Sequence, residues 1–470
     1  MELIYAFNLG LVAFDFLMAR GPVANNNVFQ KLRIEGWRQF RSIEIDIHPK
    51  LTIITGANGA GKSTLLSFFT RHFGYARNYL AIPQTRKGLT TFSLGTFDWL
   101  KQKASRWFKW TAQEEKAPVS PTIQIGEVFY STGGYSAIML PSTASLHYSV
   151  ELSTQQGVNG IHIDSHRPPN VYRGVGSIPS AAPPINGIGS GLNSEYVTYY
   201  SNGMIQQGSL YHIKMTLIQM SIFGYGNKTM DPVPELIELF NEFEEKLRKI
   251  LPKSLGFKRL IIRSPEIILS TGSGDFLIDA ASGGIIKLFE VAWQIFFYSK
   301  TMPEGERFVI TFDEPENHLH PSMQKSFLPN LMEAFPQAQI IAVTHSPFII
   351  TAMKDSNVYV LRYEDTEVRA PSEQGSDDDQ SIRGLMGTKV VAERLDTINK
   401  AGTASEILRD VLGISATIPD WAEDRVQEIV GSYRNAPLDA DALNELRSRL
   451  EAEGLISSYP HAVAQLTRAN

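Results

Sequence analysis

Apolar and polar residues alternate through Ile43-Glu44-Ile45-Asp46-Ile47-His48, and residues 28–48 read as two half-buried strands. The apolar run Leu51-Thr52-Ile53-Ile54 predicts a further strand, and Thr64-Leu65-Leu66-Ser67-Phe68-Phe69 predicts the start of a helix. Residues 98–116 have helical character, and 120–155 read as short strands. The stretch from about 157 to 193 is rich in Gly, Pro, Ser and Asn, with Pro168-Pro169 and Pro183-Pro184, and predicts a long loop. An amphipathic helix is expected over 235–251, with Leu236, Leu239, Phe240, Phe243, Leu247 and Ile250 on one stripe. Strands follow around Leu260-Ile261-Ile262 and Ile267-Ile268-Leu269, then an apolar helix containing Ile285, Leu288, Phe289, Ala292 and Phe296. Phe308-Val309-Ile310-Thr311-Phe312 is continuously apolar, as a doubly covered strand requires. A helix from Pro321 to about Phe335, opened by a favourable first-position proline, leads to a strand at Gln339-Ile340-Ile341-Ala342-Val343. That strand–helix–strand unit predicts a right-handed parallel crossover.

Composition narrows the class. The 470 residues suffice for two or three domains with their own cores. A hydrophobic share of 43% and a charged share of 20% are ordinary for a soluble globular chain. The net charge of −5 argues against coating nucleic acid through bulk positive charge. The absence of cysteine excludes disulfides and cysteine-ligated zinc, and fits a reducing compartment. The first ~20 residues are apolar but begin without a basic segment and include Glu2 and Asp15, so neither a signal peptide nor a spanning helix is expected. The expectation is an apolar extension over 1–27, no membrane association and a cytoplasmic location.

The chemistry is concentrated in short strings. Gly56-Ala57-Asn58-Gly59-Ala60-Gly61-Lys62-Ser63 stands between a strand and a helix, the context of a phosphate-binding P-loop. Its glycines let backbone N–H groups turn inward onto phosphate oxygens. The helix start presents its positive end to the same anion. Lys62 adds a charge toward the outer phosphates, and Ser63 offers a hydroxyl to Mg²⁺. The strand at Phe308–Phe312 runs into Asp313-Glu314, where α/β sheets place their chemistry. Asp313 fits the Mg²⁺ partner, and Glu314 the group that polarises an attacking water. Thr344-His345-Ser346 ends the next parallel strand, so His345 is expected at the same sheet edge, beside a γ-phosphate. Ser282-Gly283-Gly284 opens the apolar helix about 30 residues before Asp313, a second anion-directed helix start.

The order of these motifs resembles the ABC-type ATPase superfamily, and most of all its soluble branch of SMC, RecF and OLD-family heads. Gly56 to Leu66 and Asp313-Glu314-Pro315-Glu316-Asn317-His318-Leu319-His320-Pro321 carry the likeness, within 28–75 and 276–363. The resemblance implies an α/β fold: a head with a mostly parallel sheet and an antiparallel β-subdomain, an inserted segment and a small helical C-terminal region. The expected division is 28–155 and 257–366 for the two halves of the head, 156–256 for the insertion, 367–381 for an acidic linker and 382–470 for helices. It implies ATP and Mg²⁺, with Asn58, Gly59, Ala60, Gly61, Lys62, Ser63 and Thr64 on the nucleotide and Ser63 and Asp313 on the metal. It implies Glu314 and His345 as catalytic, and a basic residue, Arg41, reaching the nucleotide. In relatives two heads enclose two nucleotides, so Ser282, Gly283 and Gly284 would complete a partner's site. The loop with Glu316, Asn317, His318 and His320 would cross between heads. The family's lid glutamine has no evident counterpart.

Departures refine the likeness. Ile285 stands where transport motors carry Gln, no long heptad arms separate Ser63 from Ser282, and no acidic metal-binding domain follows residue 382. An armless head with a short tail resembles the ATPase subunits of bacterial anti-phage defence systems. It would then form a homodimer of heads or a higher homo-oligomer and control a separate effector nuclease, with DNA or a phage protein as trigger. A RecF-like DNA maintenance factor is the alternative, and a transport motor is disfavoured. Two weaker features stand apart. Trp99, Lys101, Lys103, Arg106, Trp107, Lys109 and Trp110 mix cations with aromatics, read first as an amphipathic packing element and second as a nucleic-acid patch. His166 and Arg167 open the long loop, where they are read first as ordinary loop residues and second as contacts to nucleotide or partner.

Overall fold

The computed structural model describes residues 26–86, 89–95, 122–141, 145–167, 171–202, 208–365, 388–396, 402–412, 419–433 and 440–469. The apolar extension up to residue 25, the aromatic-basic stretch 98–116 and the acidic linker 367–381 lie outside them. The chain divides into two compact units, up to residue 401 and from 402 onward.

The first strands follow their alternation. β1 (Phe29–Trp37) and β2 (Phe40–Asp46) pair antiparallel, with Ile34 opposite Ile43 and Leu32 opposite Ile45, all four buried. β3 (Leu51–Gly56) is buried along its whole length. α1 (Lys62–Thr70) follows it. β4 (Tyr79–Leu80), β5 (Ile82–Arg86) and β6 (Leu89–Ser93) form small ladders, β4 with β9 (His147–Tyr148) and β5 with β6. β7 (Ile123–Tyr130), β8 (Tyr135–Leu140) and β10 (Glu151–Leu152) extend the sheet from β1. β11 (Gly160–Ile163) precedes three helices: α2 (Ser190–Asn202), α3 (Ser209–Tyr225) and α4 (Pro234–Ile250). A meander of β12 (Arg259–Arg263), β13 (Glu266–Thr271) and β14 (Gly274–Leu277) leads to α5 (Gly283–Ser299). Then come β15 (Phe308–Asp313), α6 (Pro321–Ala334), β16 (Ala338–Val343), α7 (Pro347–Ile350), β17 (Asn357–Asp365) and β18 (Thr388–Arg394).

Eleven strands join in one sheet, ordered β10-β8-β7-β1-β2-β18-β17-β3-β16-β15-β11. The β10-to-β2 side is antiparallel. The other side, β17-β3-β16-β15-β11, is parallel throughout. This is the expected α/β head with an antiparallel subdomain. β3, β15 and β16 are continuous apolar runs because helices cover both faces of a parallel sheet, and their C-terminal ends share one edge.

Two segments differ from the sequence reading. The stretch expected as a loop over 157–193 contributes β11, which pairs in parallel with β15. Four residues flanked by Gly and Pro carry too little pattern to announce a strand; β15 supplies the ladder partners that make it one. Residues 382–470, expected as helical, begin with β18, which pairs with β17 and β2 and belongs to the head. The second unit is helical: α8 (Asp420–Gly431), α9 (Ala440–Ala452) and α10 (Tyr459–Ala469) close over Val426, Ile429, Leu446, Leu450 and Leu466.

The helical layer depends on α4. Of its expected stripe, Leu236, Leu239, Phe243, Leu247 and Ile250 are buried and Phe240 is half-buried at the margin. Phe243 meets Trp293 edge-on with ring centroids 5.0 Å apart and Phe289 at 5.5 Å, both from α5. Phe243→Ala removes that ring from a closed aromatic cluster and is expected to destabilise the first unit by about 3–5 kcal/mol, read as an earlier midpoint in urea unfolding followed by tryptophan fluorescence.

Candidate active site

The P-loop joins β3 to α1. Gly56 has φ 135°, and a Cβ there would lie 2.4 Å from the Leu361 carbonyl oxygen on β17. Gly61 has φ 94°, and a Cβ would meet the Phe40 ring at 2.4 Å. Both positions therefore demand glycine, for conformation and for space. Neighbours brace the loop: Gln39 Nε2 donates to Gly59 O at 3.3 Å, and the Tyr363 hydroxyl to Asn58 O at 3.4 Å. Gly61 is the N-cap of α1 with no side-chain cap, so the helix's first N–H groups stay available to an anion. Ala60 is buried beneath, and Thr64 lies in the first turn.

Lys62 folds back into the loop. Its Nζ donates to Gly56 O at 3.0 Å and Ala57 O at 2.9 Å. Burial pushes its pKa down to about 8, against the pull of Asp313 and Glu314. Ser63 Oγ donates to Asp313 Oδ1 at 3.2 Å. Burial pushes Asp313 up to about 6, and the nearby charges of Asp164 and Glu314 add to that. A hydroxyl and a carboxylate in hydrogen-bond contact at a phosphate loop form the oxygen pair that Mg²⁺ takes together with phosphate oxygens. The residues fit the ion.

Glu314 follows at φ 50°, an uncommon left-handed conformation for a non-glycine residue. Its N–H donates to Val343 O at 2.8 Å, and its Oε2 accepts from Asn317 Nδ2 at 2.9 Å. His345 stands at the end of β16. Burial lowers its pKa, with the Lys62 charge adding to the effect, which keeps the imidazole neutral near pH 7. Asp313, Glu314, His345 and the loop thus meet at one sheet edge, as the strand order requires.

The remaining candidates are placed differently. Ser282 and Gly283 are exposed at the start of α5, while Gly284 is packed so closely on the 318 carbonyl that a Cβ would lie 2.9 Å from it. Arg41 is exposed and pairs with Glu364 at 3.5 Å. Glu316, expected in a loop between heads, turns inward: its Oε1 accepts N–H groups of His345 and Ser346.

Sequence reasoning missed the surroundings of β11. The register Ile163–Phe312 sets Asp164 beside Asp313 as the two strands end. His162 is buried, donates to or accepts from Thr311 Oγ1 at 3.0 Å, and is pushed down to about 4 by burial. Arg167 reaches α5, with Nη2 donating to Gln294 Oε1 at 2.7 Å and Nη1 3.5 Å from Glu290 Oε2. Its guanidinium also lies 5.0 Å from the Tyr196 ring centroid, on α2. The available signal was the polar-apolar alternation of Gly160-Ile161-His162-Ile163, too short to weigh alone. Among the described residues no helix is long and apolar enough to cross a membrane.

Parts of the chain are similar to known proteins. Residues 31–79 match a family model described as an AAA domain, and residues 229–351 one described as an AAA domain, putative AbiEii toxin, type IV TA system. The Septu protein PtuA of Bacillus thuringiensis is 27% identical over 179 residues, 36% of this chain and 40% of that protein. The PtuA of Bacillus mycoides (strain KBAB4) is 33% identical over 86 residues, 17% of this chain and 12% of that protein. The retron Ec83 probable ATPase of Escherichia coli is 35% identical over 54 residues, 12% and 10%. The matched parts span less than half the length of these curated relatives. Among solved structures, the SMC head domain from Thermotoga maritima is 12% identical, covering 78% of this chain and 99% of that one with a TM-score of 0.34. An Smc head from Pyrococcus furiosus with an extended coiled coil, bound to the C-terminal domain of ScpA, is 14% identical, covering 82% and 99% with a TM-score of 0.39. With its P-loop and paired carboxylates on one edge of a mixed sheet, the chain carries two stretches similar to AAA-domain ATPase models and is similar in part to PtuA and to a retron probable ATPase.

Proposed function

We propose that this chain hydrolyses ATP to ADP and phosphate with Mg²⁺, in heads that dimerise around the nucleotide, and that it is the sensing and scaffolding subunit of a bacterial anti-phage defence complex. The observation that carries the proposal is the meeting of Lys62, Ser63, Asp313, Glu314 and His345 at one sheet edge. Ser63 and Asp313 would hold Mg²⁺, which supplies positive charge against the phosphate oxygens. Lys62 binds the outer phosphates from inside the loop. Glu314 orients a water for in-line attack, and His345 donates a hydrogen bond to the γ-phosphate as charge develops there. Ser282, exposed at its helix start, is free to complete the site of a second copy. The likeness to PtuA and to a retron ATPase supports a defence role, with a separate effector nuclease as the partner it controls.

Ser282→Arg tests the shared site. The variant is expected to bind ATP as the wild type does, yet to stay monomeric with ATP in light scattering and to lose turnover. Wild-type turnover in that variant would overturn the trans assignment. The defence role is tested by tagging the chain in its native host and identifying co-purifying proteins by mass spectrometry. A nuclease is the expected partner; recovery of a permease in its place would refute the role.

A further inference from the structure

The loop between β15 and α6 is unusual in two respects. It holds two non-glycine residues in the left-handed region, Glu314 at φ 50° and His318 at φ 66°, so its surroundings must impose its shape. It is also closed by a ring of hydrogen bonds. Leu319 N–H donates to Glu316 O at 2.9 Å. Gln324 Nε2, on α6, donates to Leu319 O at 2.8 Å. Ser346 Oγ donates to Gln324 Oε1 at 2.6 Å. Ser346 N–H returns to Glu316 Oε1 at 3.1 Å, and the same oxygen accepts His345 N–H at 2.9 Å.

Glu316 is the member of this ring that joins the two catalytic loops. One carboxylate oxygen holds two consecutive N–H groups at the end of β16, one of them belonging to His345. The backbone of Glu316 lies two residues from Glu314. The carboxyl is buried, which pushes its pKa up, while hydrogen bonds from the Thr344 side chain and the His345 backbone favour its charged form.

We infer that Glu316 is a positioning residue for hydrolysis, tying the His345 loop to the loop that carries Glu314 so that imidazole and carboxylate keep one separation across the γ-phosphate. The inference rests on the ATPase reading above. Displacement of a catalytic group by about 1 Å costs roughly 10²-fold in rate, so the tie acts on the chemical step and not on nucleotide affinity, which the P-loop supplies.

Three proteins are compared: wild type, Glu316→Ala and Glu316→Gln. The glutamine keeps an oxygen that accepts both N–H groups. Glu316→Ala is expected to lower kcat by about 10- to 100-fold with KM for ATP and the affinity for a fluorescent ATP analogue close to wild type. Glu316→Gln is expected to recover most of the rate. Wild-type turnover in Glu316→Ala overturns the inference. So does a loss of nucleotide binding or of the thermal transition in both variants, which marks a purely structural role. Absence of ATP turnover in the wild type would instead strike the ATPase reading and this inference with it.

Discussion

Glu314→Gln is expected to bind ATP, assemble into a stable dimer and release phosphate roughly 10²- to 10⁴-fold more slowly than the wild type, the range ascribed to a positioned general base. The amide keeps the size of the side chain and can still accept from Asn317 Nδ2, which now meets Glu314 Oε2 at 2.9 Å. What it loses is the negative charge that draws a proton from water. Because hydrolysis is the step that would separate the heads, blocking it should accumulate the ATP-bound dimer. Phosphate release and multi-angle light scattering on the same sample check both halves. Turnover at the wild-type rate would remove Glu314 from its role, and slow turnover without a dimer would remove the coupling between hydrolysis and assembly.

Lys62→Ala is expected to abolish nucleotide binding at ordinary ATP concentrations. Hydrogen bonds to charged groups contribute about 1.5–3 kcal/mol each, so losing contact with two phosphate oxygens weakens affinity roughly 10²- to 10⁴-fold. The same residue predicts a pH dependence in the wild type. Burial holds the ammonium at about 8 before nucleotide arrives. ATP favours the charged form, so affinity should be level below pH 8. Above pH 8 a proton must be taken up on binding, and affinity should fall by up to about tenfold per unit. Titration with a fluorescent ATP analogue between pH 6.5 and 9.5, about a unit and a half either side of that value, reads this slope. A level curve above pH 8 would show that Lys62 does not meet the phosphates.

The loop proposed to bind phosphate was legible as a strand, a glycine turn and a helix start because those residues are contiguous. Gly56 to Ser63 needs glycines, a lysine and a hydroxyl in one short string, and Asp313-Glu314 and His345 each follow an apolar strand that announces its own burial. Where a residue's role depends on a distant partner, the reading stopped short. Arg41 matches a nucleotide-reaching position by its place after Phe40, yet it pairs with Glu364 on β17. Glu316 sits in a loop expected to face another head, and its carboxylate instead accepts from the backbone of residues 345 and 346. β11 and β18 went unread because each has a ladder partner far along the chain, β15 for β11 and β2 for β18.

The local elements of the site, a strand, a glycine turn and a helix start, follow from residue type and spacing, because backbone conformation and anion affinity are properties of a few consecutive residues. The electrostatic state of the site does not. Ser63 and Asp313 stand 250 positions apart and meet only because β3, β16 and β15 lie side by side. Burial among those strands is what brings Lys62 down and Asp313 up, Asp164 adds its charge only through the register of β11 on β15, and Glu316 finds His345 only once the loops after β15 and β16 are neighbours. Such contacts depend on long-range pairing, whose cost in chain entropy is met by the whole sheet and not by any segment that a sequence displays.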